Sequence, residues 1–214
     1  VENVKVNETN QIQIAENFHD ISKDSIKCLV EDSSTGKERE VYLTNGTFKL
    51  SDIKAEMMNN VLYIKVSSIL NGTSQHIKKQ LDAYNNAKGV ILDLRSVTSN
   101  NIDEAAKIAD LFVKEGELFK VKGKGGDEKV YNATEENCDK KLAVLIDTNT
   151  AMSAEAIASA LENKAKLIGR QTAGCGWVNK LVALEDGTGL MIATGKIISN
   201  KEVDLSEKPI TPEK

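Results

Sequence analysis

Two segments of the chain hold residues whose types and spacing could do chemistry. One is Asn149-Thr150-Ala151-Met152-Ser153-Ala154-Glu155, which opens an alanine-rich segment. The other is Arg95-Ser96-Val97-Thr98-Ser99-Asn100-Asn101, which follows the apolar run Val90–Leu94. Both read as strand–loop–helix junctions, where a helix N-terminus offers free N–H groups and the positive end of its dipole. The small residues around Ala151 let another group approach the backbone closely. Ser153 falls in the first helical turn, with its hydroxyl near the dipole. The same residues also fit a plain helix cap, with Thr150 or Ser153 supplying the hydroxyl and Glu155 complementing the dipole.

The elements that position these junctions follow from the apolar periodicity. Strand Val61–Val66 leads to a helix at about Thr73–Asn86, with Ile77, Leu81 and Tyr84 on one face. Strand Val90–Leu94 precedes a helix over Ile102–Lys114, which carries a wide apolar stripe. Leu142–Asp147 is a continuous apolar run, as expected of a strand covered on both faces. A helix over Met152–Lys164 and a strand over Lys166–Gly169 follow. Strands alternating with helices from residue 61 to residue 169 predict an α/β core of parallel crossovers. Leu118–Val121 and Lys129–Tyr131 read as strands around the glycine-bearing loop Lys122–Glu128. No helix follows those glycines, so a hairpin fits them better than a phosphate cradle. Leu181–Leu184 and Leu190–Ala193 read as a second hairpin around Asp186-Gly187. Nearer the start, Gln11–Ala15 reads as a short strand. Ser22 reads as the N-cap of a helix carrying Ile26, Leu29 and Val30 on one face. Asp32–Gly36 reads as a turn. Glu40–Leu43 and Thr47–Leu50 read as strands around Asn45-Gly46.

The bulk properties bound the rest. With 214 residues the chain is long enough to bury a real core, and 40% hydrophobic with 28% charged residues is ordinary for a globular protein. A net charge of −4 argues against a nucleic-acid partner, which calls for a basic surface. No apolar run approaches a membrane span. Cys28, Cys138 and Cys175 are far apart and odd in number, with no metal-binding spacing. With only two histidines, His19 and His76, a metal site has few ligands, and no metal or cofactor is expected. The chain opens on Val1 rather than Met, as expected of a processed or trimmed form, from which any export signal would have been removed.

Several segments, in order, resemble the C-terminal processing peptidases, also called tail-specific proteases. Val61–Ile69 resembles the family's first core strand. Lys88-Gly89-Val90-Ile91-Leu92-Asp93-Leu94-Arg95 resembles its "kGlILDLR" strand, and Asp103–Phe112 its following helix. Leu167-Ile168-Gly169-Arg170-Gln171-Thr172, Asp186-Gly187-Thr188-Gly189-Leu190 and Lys208-Pro209-Ile210-Thr211-Pro212-Glu213 match later family motifs. The likeness runs from about residue 61 to the C-terminus. It implies a crotonase-like, Clp protease-like α/β core that carries a Ser–Lys dyad. It divides the chain into a small N-terminal element over residues 1–50 and a core domain over residues 51–214. Residues 19–50 resemble the last helix and strand of a PDZ domain, which would make the N-terminal element a small α+β PDZ remnant.

The functional positions depart from the family pattern. The resemblance puts the nucleophilic serine at Met152, the lysine base at Cys175 and its supporting glutamine at Asn179. The loop that supplies an oxyanion amide falls on Val97, Thr98, Ser99 and Asn100. A Ser–Lys dyad needs a hydroxyl within hydrogen-bond reach of a neutral, desolvated amine. A methionine thioether cannot be deprotonated or acylated in that role. Loss of one oxyanion donor typically costs about 10²–10³ in rate.

The resemblance therefore implies a degenerate member, a pseudopeptidase exported like its relatives. It would bind a peptide or protein partner in the substrate cleft, by strand addition, along Ala151, Gly174, Gly176 and Trp177. A working peptidase with a site shifted to Ser153 and Lys180 is the alternative. A one-residue shift at a helix start rotates a side chain by about 100°. Lys180 would point to the far face of its strand. A third reading is a structural or oligomerising module, in which Trp177 and Val178 serve as core or interface.

Overall fold

The computed structural model describes residues 25–32, 34–44, 51–134, 138–184 and 188–212. The chain divides into two units, Val1–Leu50 and Ser51–Lys214.

In the first unit, β1 (Ser25–Glu31) and β2 (Glu38–Thr44) form an antiparallel pair. The helix expected from Ser22 through Val30 is thus corrected: residues 25–31 are extended. The reason is local. The Asp32 carboxylate accepts from the Ser34 amide at 2.9 Å and the Thr35 amide at 3.0 Å, and Gly36 takes φ 67°. That tight turn folds the chain back, and a full ladder replaces a helix too short to stand alone. Side-chain exposure follows a period of two, with Cys28 and Val30 half-buried and Lys27 and Leu29 exposed. The expected last PDZ helix is therefore a strand over these residues. His19, Ser22, Gln11–Ala15, Asn45-Gly46 and Thr47–Leu50 lie outside the described residues.

The second unit is α/β. Its first sheet has strand order β11-β9-β5-β4-β3. These strands are β3 (Ile53–Met58), β4 (Val61–Val66), β5 (Gly89–Asp93), β9 (Lys141–Ile146) and β11 (Ala165–Gly169). All pairings are parallel except the β3–β4 hairpin at the edge. β3 is not among the expected strands. Its turn residues Asn59 and Asn60, at φ 48° and 66°, form the left-handed two-residue turn that suits a hairpin.

Three helices serve this sheet: α1 (Thr73–Ala83), α2 (Ile102–Asp110) and α3 (Ser153–Leu161). Each ends a few residues before its expected limit, within the usual fraying of helix ends. All nine residues of α3 are buried. Six of its nine side chains are Ala or Ser, so it packs against α2 and also touches β9. Helix α1 is capped from a distance. The buried Glu104 carboxylate of α2 accepts from the Ser74 amide at 2.8 Å and the Ser74 hydroxyl at 2.7 Å.

The second sheet has order β12-β13-β7-β8 and is antiparallel throughout. Its strands are β7 (Glu117–Gly123), β8 (Glu128–Asn132), β12 (Trp177–Ala183) and β13 (Gly189–Ser199). The Lys122–Glu128 loop closes the β7–β8 hairpin, as the sequence predicts. A short parallel bridge joins β6 (Thr98–Ser99) to β10 (Ala151–Met152) and so ties the two chemistry-bearing junctions together. Among the described residues no helix is long and apolar enough to cross a membrane.

Candidate active site

The junction before α3 is a sharp elbow. Met152 takes φ 57° and ψ −120°, a conformation that costs a non-glycine residue about 1–3 kcal/mol. It is held from both sides. The Ala151 amide donates to the Val97 carbonyl at 3.0 Å, and the Ala173 amide donates to the Thr150 carbonyl at 3.0 Å. The Thr150 hydroxyl is fully buried, donating to the Leu94 carbonyl at 3.0 Å and accepting from the Asp147 amide at 3.0 Å. It is therefore a tie between loops rather than the helix cap.

Glu155 is the centre of the elbow. It is fully buried. Its carboxyl oxygens accept from the Met152 amide at 3.2 Å, the Gly174 amide at 2.8 Å and the Cys175 amide at 2.8 Å. The Thr172 hydroxyl adds a fourth bond at 2.5 Å. That same hydroxyl accepts from the Ile210 amide at 2.9 Å, which fastens the C-terminal segment to the site. One side chain thus binds the positions that the resemblance gives to nucleophile and base. The sequence signal for this is a lone glutamate in an otherwise uncharged, Ala-rich helix, which simple capping also explains.

The side chains at these positions are as follows. Met152 and Cys175 are both half-buried. Ser153 is fully buried, and its hydroxyl donates to the Ser99 carbonyl at 2.7 Å. Lys180 is exposed on β12. Gly174 takes φ 67°, and a Cβ there would meet Pro209 at 3.3 Å. At Gly176 a Cβ would lie 2.5 Å from Leu205, so only glycine fits between β12 and the C-terminal segment. Ala151 and Gly176 are buried, and the main chain of both is already engaged. Trp177 is half-buried, with the Lys196 ammonium 5.1 Å from its ring centre.

The 97–101 loop is pinned along its length. Val97 is buried. The Thr98 hydroxyl donates to the Asn149 carbonyl at 3.2 Å, and the Ser99 hydroxyl to the Ile69 carbonyl at 3.2 Å. The Asn100 carboxamide accepts from the Asn179 amide at 2.8 Å and donates back to the Asn179 carbonyl. Two departures from the family pattern, widely separated in sequence, are therefore one contact.

Beneath the loop lies an ionic support that the sequence conceals inside apolar strands. Asp93 is fully buried at the end of β5. The Arg95 guanidinium holds it at 2.7 and 3.0 Å, the Tyr63 hydroxyl donates at 2.6 Å, and Lys65 stands at 3.5 Å. Burial pushes the Asp93 carboxyl up, but Arg95, Tyr63 and Lys65 together bring it down to about 2. Asp147 is the second support. It accepts from the Ser96 amide at 3.0 Å and the Ser96 hydroxyl at 3.1 Å, where Ser96 turns at φ 60°. Burial pushes this carboxyl up too, and the Ser96 and Asn149 amides, with the Ser96 and Thr150 hydroxyls, hold it below the usual range.

The elbow, the 97–101 loop and the segment Thr172–Cys175 are thus bonded into one site. A family model, "Peptidase family S41", matches residues 60–214. The chain belongs to peptidase family S41. The carboxy-terminal processing protease CtpA of Bacillus subtilis is 28% identical over 181 residues, covering 81% of this chain and 39% of the relative. The chloroplastic carboxyl-terminal-processing peptidase 2 of Arabidopsis thaliana is 27% identical, covering 71% of this chain and 31% of the relative. The chain thus spans less than half the length of these S41 relatives. A photosystem II D1 C-terminal processing protease shares the fold at a TM-score of 0.69 and 18% identity, covering 88% of this chain and 54% of that one. A lipoprotein from Streptococcus agalactiae does so at 0.63 and 24%, covering 76% and 64%. These neighbours bear out the expected α/β core fold.

Proposed function

We propose that this S41 chain is a catalytically inactive peptidase scaffold that binds an extended peptide or protein segment in the substrate cleft. The observation that carries the reading is the elbow. The strained turn stands where the family places its nucleophile, and the side chain on it is Met152, with no acidic proton to give up. The neighbouring hydroxyl of Ser153 is buried and already donates to the Ser99 carbonyl, which keeps it from a substrate carbonyl. Lys180 lies on the exposed side of β12 and so supplies no desolvated amine. Cys175 stands at the base position, with its amide bound by Glu155. The frame is kept while the groups that would move a proton are changed. The same relatives, one of them chloroplastic by name, support an exported setting for this chain.

The test is incubation of the protein with fluorescently labelled casein. No cleavage above background is expected, and Ser153→Ala should leave the trace unchanged. Cleavage that vanishes in Ser153→Ala would establish the shifted-site peptidase instead.

A further inference from the structure

Strand β12 is an edge strand, and among the described residues it pairs with β13 alone. The hairpin end fixes which of its main-chain groups face outward. The Leu184 amide bonds the Thr188 carbonyl at 2.8 Å, so residues 180, 182 and 184 direct their groups toward β13. Asn179, Leu181 and Ala183 then direct theirs to the open edge. Asn179 shows this parity directly, because both its amide and its carbonyl are bonded to the Asn100 side chain and not to β13.

A carboxamide carries a donor and an acceptor in one plane, as a peptide unit does. Asn100 therefore makes, at one residue, the paired bonds that a neighbouring strand would make. It reaches the edge from an exposed loop position. The next outward residues, Leu181 and Ala183, carry no bond outside the β12–β13 ladder among the described residues. Around them the side chains are apolar and uncovered. Leu181 and Met191, directly paired, are 66% and 64% exposed. Leu190 and Ile192 are exposed on the opposite face.

We infer that the open edge of β12, from Asn179 to Ala183, takes up an extended peptide with apolar side chains at alternate positions. Asn100 occupies the place of one of that peptide's units and competes with it. The inference rests on the peptide-binding reading above. It names where the peptide pairs and what holds it off. Main-chain pairing supplies affinity, and alternate apolar side chains meet Leu181 and Met191 on one face. The carboxamide is an intramolecular competitor, so its removal strengthens binding.

Fluorescence anisotropy on the full chain tests this with a labelled ten-residue peptide alternating valine and serine. Asn100→Ala should bind it roughly tenfold tighter than the parent, the gain from two freed main-chain bonds. Leu181→Pro removes an outward N–H while leaving the β12–β13 ladder intact, and should weaken binding roughly tenfold or more. The same peptide N-methylated at alternate residues should bind neither the parent nor Asn100→Ala. Equal or weaker binding by Asn100→Ala, or binding indifferent to N-methylation, overturns the inference but leaves peptide binding standing. A β12-to-β12 dimer that Leu181→Pro returns to monomer overturns it by giving the edge another occupant. No binding to any of the proteins overturns the peptide-binding reading and the inference with it.

Discussion

The elbow around Met152 and the tip of the β12–β13 arm are built on opposite principles. At the elbow the polar groups described above are buried and partnered, and one carboxylate holds three amides and a hydroxyl. At the tip of the arm Leu181, Leu190, Met191 and Ile192 are exposed, and among the described residues one strand edge is largely unpaired. The contrast separates two things that an active peptidase needs together. Backbone geometry is maintained by Glu155, Thr172 and Asp147, none of which is a nucleophile or base. Met152 and Cys175 are held on that frame through their backbone amides, which do not depend on the side chain. The tip of the arm, by contrast, buries little: Leu181 and Met191 stay mostly exposed.

The largest effect should come from the elbow. Glu155→Ala strands three buried or half-buried amides and should cost at least about 3 kcal/mol, read as a lower urea midpoint. Glu155→Gln should cost less, since an oxygen remains to accept. An Ala variant no less stable than the parent would break the claim that this carboxylate holds the frame.

Acid should act next, through Asp93. Its folded value of about 2 lies below the ordinary 3.8, so it contributes stability above about pH 4. That contribution should be lost as pH falls from about 4 through 2, and amounts to roughly 2 kcal/mol. Asp93→Asn should flatten this limb of the stability profile. An unchanged acid limb would move the support of the 97–101 loop elsewhere.

The smallest effect should be on the arm. Leu181→Ser and Met191→Ser should each change stability by no more than about 0.5 kcal/mol, because neither side chain is buried. A loss of several kcal/mol on thermal unfolding would show that the arm belongs to the core after all.

Much of the frame was legible in the sequence. Apolar runs such as Leu142–Ile146 could only be covered strands, and the order of motifs pointed to one fold. The misreading at 25–31 has a physical cause. Ile26, Leu29 and Val30 fit a helical face as well as a strand, and the Asp32 turn, not the periodicity, decided between them. At the site, Met152 and Cys175 were visible as departures because a single position carries each. What stayed hidden was relational. Asn100 and Asn179 are 79 positions apart, and Glu155 reaches Cys175 across 20. No local pattern announces a side chain whose partner is backbone from another loop.

The central claim is that the elbow carries no working nucleophile, and reaction with a fluorophosphonate probe tests it most directly. The intact mass should be unchanged after incubation, because Met152 has no hydroxyl and that of Ser153 is buried and bonded to the Ser99 carbonyl. A single adduct mapped to Ser153, and absent in Ser153→Ala, would contradict the account.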